Sequence, residues 1–144
     1  MKKKILIALA IFLVLIQFVR IDKTNPELVI ANDFIEINKP STEIAGMLKS
    51  ACYDCHSSES KYPWYSNVAP VSWLMKSHIN GARDHFNFSE WNTYDAKEQA
   101  HILEECAEEI EKGKMPMKSY VFAHSEAKLS PEQKEALISY FESL

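Results

Sequence analysis

Two cysteines and a histidine in one short run, Cys52-Tyr53-Asp54-Cys55-His56, carry the clearest chemistry of the chain. The C-x-x-C-H spacing is the attachment pattern of a c-type haem. Each thiol adds across one vinyl group of the porphyrin, and the two intervening residues place the sulfurs under neighbouring vinyls. The histidine then lies beneath the iron and supplies an imidazole as axial ligand. The run therefore predicts one covalent haem c, attached through Cys52 and Cys55 and ligated by His56.

Three other uses of paired cysteines are weaker. A zinc site needs further ligands at workable spacing, and Cys106 is the only other cysteine of the chain. A thioredoxin-like redox pair should follow a strand in a βαβ pattern, and no such pattern surrounds Cys52. A disulfide between Cys52 and Cys55 would close a very short loop and gain little stability. We interpret Cys106 itself as a small buried hydrophobe.

An electron-carrying haem needs a second iron ligand on its opposite face. Met115 is the first choice, because it follows Gly113 and precedes Pro116, which lacks an N–H and stiffens the loop. A thioether ligand favours the reduced iron and raises the reduction potential. Met117 is the runner-up, and His78 is the rival that would give bis-His iron. The remaining histidines are interpreted as surface or loop residues: His85, His101 and His124.

Haem propionates need hydrogen-bond donors. Indole N–H, phenol O–H and guanidinium groups suit carboxylates. Aromatic residues of a small domain belong more often to its core, but four side chains near the attachment run could provide such donors: Trp64, Tyr65, Trp73 and Arg83.

The N-terminus predicts a membrane anchor. Lysines at positions 2–4 precede an apolar run over residues 5–19 that only Gln17 interrupts, as in the n- and h-regions of a signal sequence. No small-residue cleavage site follows, so we interpret residues 1–20 as an uncleaved transmembrane helix, with a cleaved signal peptide as the alternative. The lysines predict a cytoplasmic N-terminus. The chain is thus expected to be a single-pass cell-membrane protein with its haem domain on the periplasmic, extracytoplasmic side.

Composition divides the rest of the chain into two parts. Residues 21–40 contain two prolines and scattered polar residues and are predicted to be a tether, followed by a c-type haem-binding domain over residues 41–144. Residues 1–20 carry four positive charges and no negative ones, so the formal charge of -4 becomes -8 without them. An acidic domain disfavours nucleic acid and anionic lipid as partners.

Helix start and stop signals predict an all-α domain. Only three glycines and few alternating β-branched segments are present, which argues against a sheet. Capping and proline signals predict four helices. The first begins near Ser41 and runs through the attachment cysteines, the second spans 70–81, the third spans 95–112, and the last begins after Ser130.

Several further runs carry a family resemblance. They are Tyr62-Pro63-Trp64-Tyr65-Ser66-Asn67-Val68-Ala69-Pro70-Val71-Ser72-Trp73-Leu74, His78-Ile79, Asn87-Phe88-Ser89-Glu90-Trp91, Gly113-Lys114-Met115-Pro116 and Ala127-Lys128-Leu129-Ser130. Together with Cys52-Tyr53-Asp54-Cys55-His56-Ser57, they resemble the bacterial haem-binding domain that has a single C-x-x-C-H motif. The resemblance covers about residues 34 to 142. It implies haem c, an extracytoplasmic place and a small cytochrome c-like helical fold, and it implies little about a partner.

These observations favour an electron carrier that meets redox partner proteins at the membrane. The alternative is a haem-based sensor or ligand-binding module with an open or weak sixth site. An enzyme is not expected, because no distal acid–base arrangement is evident and one small domain leaves little room for a substrate pocket. A non-haem redox or zinc module is a fourth possibility.

Overall fold

The computed structural model describes residues 1–144, and every regular element in it is helical. The eight α-helices are α1 Lys2–Leu15, α2 Phe34–Asn38, α3 Thr42–Ala51, α4 Tyr53–His56, α5 Val71–His85, α6 Ala96–Glu111, α7 Lys118–Ala123 and α8 Pro131–Glu142. Short 3₁₀ turns lie at Ile16–Phe18, Ile30–Asn32, Trp64–Asn67, Phe88–Thr93 and Ser125–Ala127. The prediction of an all-α chain is confirmed, and the likeness to cytochrome c stays a prediction.

Capping residues start three of the helices where the sequence places them. The Ser41 side chain accepts a hydrogen bond from the Ile44 amide at the start of α3. Asp95 forms a reciprocal capping box with Glu98 at the start of α6. Ser130 and Gln133 form another at the start of α8, with proline in its first turn. These side chains satisfy amide groups that a helix N-terminus leaves unpaired.

Two helix boundaries differ from the prediction. The first domain helix ends at Ala51, and Cys52, with φ of -125°, separates it from the short α4 that carries Cys55 and His56. The α5 helix does not end at Gly81 but continues to His85. Gly81 has no left-handed backbone angle, so it lacks the conformation that commonly ends a helix.

The core lies where α2, α3, α6 and α8 meet. Phe34 of α2 is fully buried. Its ring centroid is 5.0 Å from that of Phe88 and 4.9 Å from that of Trp91, the latter in an edge-to-face arrangement. The Asp33 carboxylate caps α2 and accepts a hydrogen bond from the Tyr53 hydroxyl at 3.1 Å. Part of the segment predicted as a tether over 21–40 therefore packs against the element that carries the attachment run.

The predicted N-terminal transmembrane helix is wrong. The α1 helix ends at Leu15, and its 14 residues span about 21 Å, against about 30 Å for a bilayer core. The chain then docks on the domain, because the Gln17 side chain exchanges two hydrogen bonds with the backbone of Ala69, at 3.0 and 2.9 Å. None of the helices combines the length and the apolar character needed to cross a membrane. The structure therefore does not support the expected single-pass location in the cell membrane with a periplasmic haem domain.

Replacing Phe34 with Ala should lower the free energy of unfolding by about 3–5 kcal/mol, because it leaves a cavity among buried aromatic rings. Phe122→Ala is the matched control: the Phe122 side chain is 94% exposed, and exposed substitutions stay within about 0.5 kcal/mol. Denaturant unfolding of the haem-loaded protein measures both. Equal effects of the two substitutions would contradict the placement of Phe34 in the core.

Candidate functional site

His56 is held as a neutral imidazole with one nitrogen available. Its Nδ1 lies 3.4 Å from the carbonyl oxygen of Phe86, and its ring stacks on the Phe86 ring at 4.2 Å. A carbonyl only accepts, so Nδ1 donates and Nε2 keeps a free lone pair. Burial is the main cause that lowers the pKa of His56 to about 4. A ring fixed through Nδ1 and neutral at physiological pH is the usual form of a metal-binding histidine.

Cys52 directly precedes α4, and Cys55 lies within it. Neither forms a disulfide. Burial raises the pKa of Cys52 to about 12 and that of Cys55 to about 11. Both therefore remain S–H groups rather than reactive thiolates, and an S–H group is what adds across a vinyl double bond.

Two apolar cavities of about 240 and 330 Å³ border the attachment run. The two cavities share five wall residues, Ala51, Cys52, His56, His85 and Met115. The first extends toward α6 and α8, with further wall residues Phe86, Phe88, Glu105, Cys106, Glu108, Glu109, Ile110 and Phe141. The second extends toward α5 and α7, with Cys55, His78, Met117 and Tyr120. Mostly apolar walls that include His56 and the two attachment cysteines fit a flat, largely hydrophobic macrocycle.

The Met115 loop is fixed by the end of α6. Gly113 has φ of +65°, a left-handed conformation that glycine adopts without strain and that ends the helix. The amides of Lys114 and Met115 both donate to the carbonyl of Glu109, at 3.0 and 3.1 Å. The Lys114 ammonium also pairs with the Glu109 carboxylate at 2.9 Å. These contacts hold Met115 at the cavity walls.

Met115 borders both cavities together with His56, whereas Met117 and His78 border only the second. His85 borders both cavities as well, but its Nε2 lies 3.0 Å from the Glu105 carboxylate and its side chain is 60% exposed. The second iron ligand stays a prediction, and this arrangement favours Met115.

Arg83 fixes the loop that follows His56. Its Nε donates to the carbonyl of Ser57 at 2.8 Å. Its Nη2 donates to the Ser60 hydroxyl at 2.9 Å and to the Asn25 side-chain oxygen at 3.0 Å. The guanidinium therefore joins α5 to the backbone around α4. It does not line either cavity.

The three aromatic candidates for propionate donors also lie outside the two cavity walls. The Trp64 side chain is 78% exposed. The Trp73 indole N–H donates to the carbonyl of Val19 at 2.9 Å. The Tyr65 hydroxyl lies 2.5 Å from Nε2 of His124. Donation from these residues and from Arg83 to haem propionates stays a prediction.

Sequence reasoning missed several residues of the cavity walls. Cys106 shares a wall with Cys52, which the helical spacing of Cys106 and Ile110 on α6 could have suggested. Tyr120 has no local signal, because its place depends on how α7 packs. Nowhere does the structure gather three or more His, Cys, Asp or Glu side chains in a group that could hold a metal ion.

The helical fold and the paired cavities around His56 suit a small haem-binding protein. Residues 11–143 match a family model described as "Haem-binding domain", and the chain belongs to this family. No match was found among curated proteins or among solved structures.

Proposed function

We propose that the protein is a c-type cytochrome that transfers single electrons between redox partner proteins. Cys52 and Cys55 would attach one haem through thioether bonds, and His56 and Met115 would ligate its iron. The observation that carries this proposal is the meeting of the two cavities at Cys52, His56 and Met115. It supports a site in which thiol, imidazole and thioether groups border the same apolar space.

The residues of the chain have distinct tasks in this proposal. Haem supplies a reversible one-electron couple, and the protein sets its potential through axial ligands and environment. His56 offers Nε2 while Phe86 holds its other nitrogen. The apolar parts of the cavity walls would exclude water from the haem. The Glu109 carbonyl accepts from the Met115 amide and would hold this residue at the cavity walls.

Electron transfer is favoured over catalysis for a chemical reason. An iron with both axial positions filled by protein side chains has no free position for a substrate. The hydrogen bonds that fix His56 and the Met115 loop support the occupation of both axial positions by these two side chains. A sensor or ligand-binding module would instead need an open or weak sixth position.

Absorption spectra of the oxidised and reduced haem-loaded protein test the proposal. We expect low-spin, six-coordinate iron in both states, reversible reduction, and little reaction with carbon monoxide. High-spin ferric iron together with ready binding of carbon monoxide would contradict an electron carrier and support the sensor alternative.

A further inference from the structure

Tyr120 lies between the 330 Å³ cavity beside the attachment run and a third, more polar cavity. On one side it borders the 330 Å³ cavity together with Cys55. On the other side it borders a cavity of about 390 Å³ together with Asp54, His124 and Glu126. A group in this polar cavity therefore lies one aromatic ring away from the attachment site.

A hydrogen-bonded triad lies at this polar cavity. Nδ1 of His124 is 3.1 Å from the Glu126 carboxylate, and its Nε2 is 2.5 Å from the Tyr65 hydroxyl. Because a carboxylate only accepts, Nδ1 carries the proton, and the neutral ring accepts at Nε2 from Tyr65. When the ring gains a second proton, the Tyr65 hydroxyl turns and accepts from Nε2. Both protonation states are thus satisfied by the same three residues.

His124 is shielded from water and connected to the attachment run. Its side chain is only 14% exposed. Its ring stacks on Tyr120, with centroids 4.4 Å apart and planes 19° apart. The Tyr120 hydroxyl donates to the Asp54 carboxylate at 2.8 Å, and Asp54 directly precedes Cys55. Charges in such a partly buried place interact more strongly than charges in water.

Charged and titratable groups surround the ring from several elements. The polar cavity and the triad include Lys49 of α3, Asp54 of α4, Lys61 and Tyr62 of the following loop, Tyr65, Tyr120 of α7 and Glu126. The set includes two carboxylates, Asp54 and Glu126, and two lysines, Lys49 and Lys61. A backbone hydrogen bond, followed by the hydrogen bond from His124, lowers the pKa of Glu126. Burial is the main cause that raises the pKa of Tyr65.

We propose that His124 takes up one proton from solvent when the haem gains one electron. This inference rests on the proposed function, and it adds coupling between electron transfer and proton binding. The electron comes from a redox partner or an external reductant, and the proton neutralises the added negative charge. Linkage is reciprocal, so a proton on His124 favours reduction as much as reduction favours that proton.

The midpoint potential measured against pH is the first test. For the wild type we expect the potential to fall over one window as pH rises. The fall follows because proton loss removes a positive charge that stabilises the reduced state. His124→Gln should abolish this dependence. His101→Gln should preserve it, because His101 is exposed, pairs with Glu105 of its own helix at 3.6 Å and borders neither haem cavity.

A second variant and a second measurement keep the inference testable if His124→Gln fails to fold. Glu126→Gln keeps an acceptor for Nδ1 but removes the negative charge, so the window should move to lower pH. In NMR spectra of the wild type, the His124 ring signals should titrate at higher pH in the reduced protein than in the oxidised one. A potential independent of pH, or His124 signals that titrate at the same pH in both redox states, would overturn the inference while leaving the cytochrome intact. Absence of covalent haem would overturn the proposed function and this coupling together.

Discussion

Replacing Cys52 and Cys55 together with Ala should abolish covalent attachment of haem. Thioether bonds cannot form without thiols, and the only other cysteine, Cys106, lies outside the attachment run. Each single replacement should leave at most one bond and lower the yield of loaded protein. The measurement is haem retention after denaturation and acid extraction with organic solvent, following expression with a competent maturation system.

Cys106→Ala is the matched control for these replacements. Cys106 borders the same cavity as Cys52, and burial raises its pKa too, but it lies on α6 outside the attachment run. We expect Cys106→Ala to retain covalent haem fully. Retention in the double variant, or loss in Cys106→Ala, would contradict the assignment of the two attachment cysteines.

Met115→Ala should remove the weak charge-transfer absorption of the ferric methionine–iron bond near the red end of the visible spectrum. It should also lower the midpoint potential, because a thioether favours reduced iron. The effect should be large, since axial ligands and their surroundings tune haem potentials over about 0.8 V. Spectra and redox titrations of the purified variant measure both changes.

Met117→Ala and His78→Ala are the controls for the second ligand. Both side chains border the second cavity. Each substitution therefore removes side-chain volume near the site without removing the predicted ligand. We expect the charge-transfer band to persist in both. If His78→Ala instead makes the iron high spin while Met115→Ala changes nothing, the protein is a bis-His cytochrome.

The features that sequence predicted well depend on near neighbours along the chain. Ser41, Asp95 and Ser130 begin helices because their side chains accept from amides two or three residues ahead. Gly113 ends α6 with a left-handed backbone angle. Glycine adopts this angle because it has no side chain, which is a local property. The spacing of Cys52, Cys55 and His56 is equally local, and these residues lie at the centre of the candidate site.

The features that sequence reasoning did not reach depend on contacts between distant segments. Gln17 meets Ala69 across more than fifty residues, two positions beyond the end of α1 at Leu15. Tyr65 meets His124 across a similar separation. No periodicity or capping rule reports such pairs, since they follow from how helices pack.

Mass spectrometry of proteolytic peptides tests the central claim most directly. The claim is that residues 52–56 hold the haem covalently. After maturation, the peptide that contains Cys52, Cys55 and His56 should carry the added mass of one haem, with both cysteines resistant to thiol alkylation. An unmodified peptide whose two cysteines are freely alkylated, from protein that nevertheless absorbs as a haem protein, would contradict it.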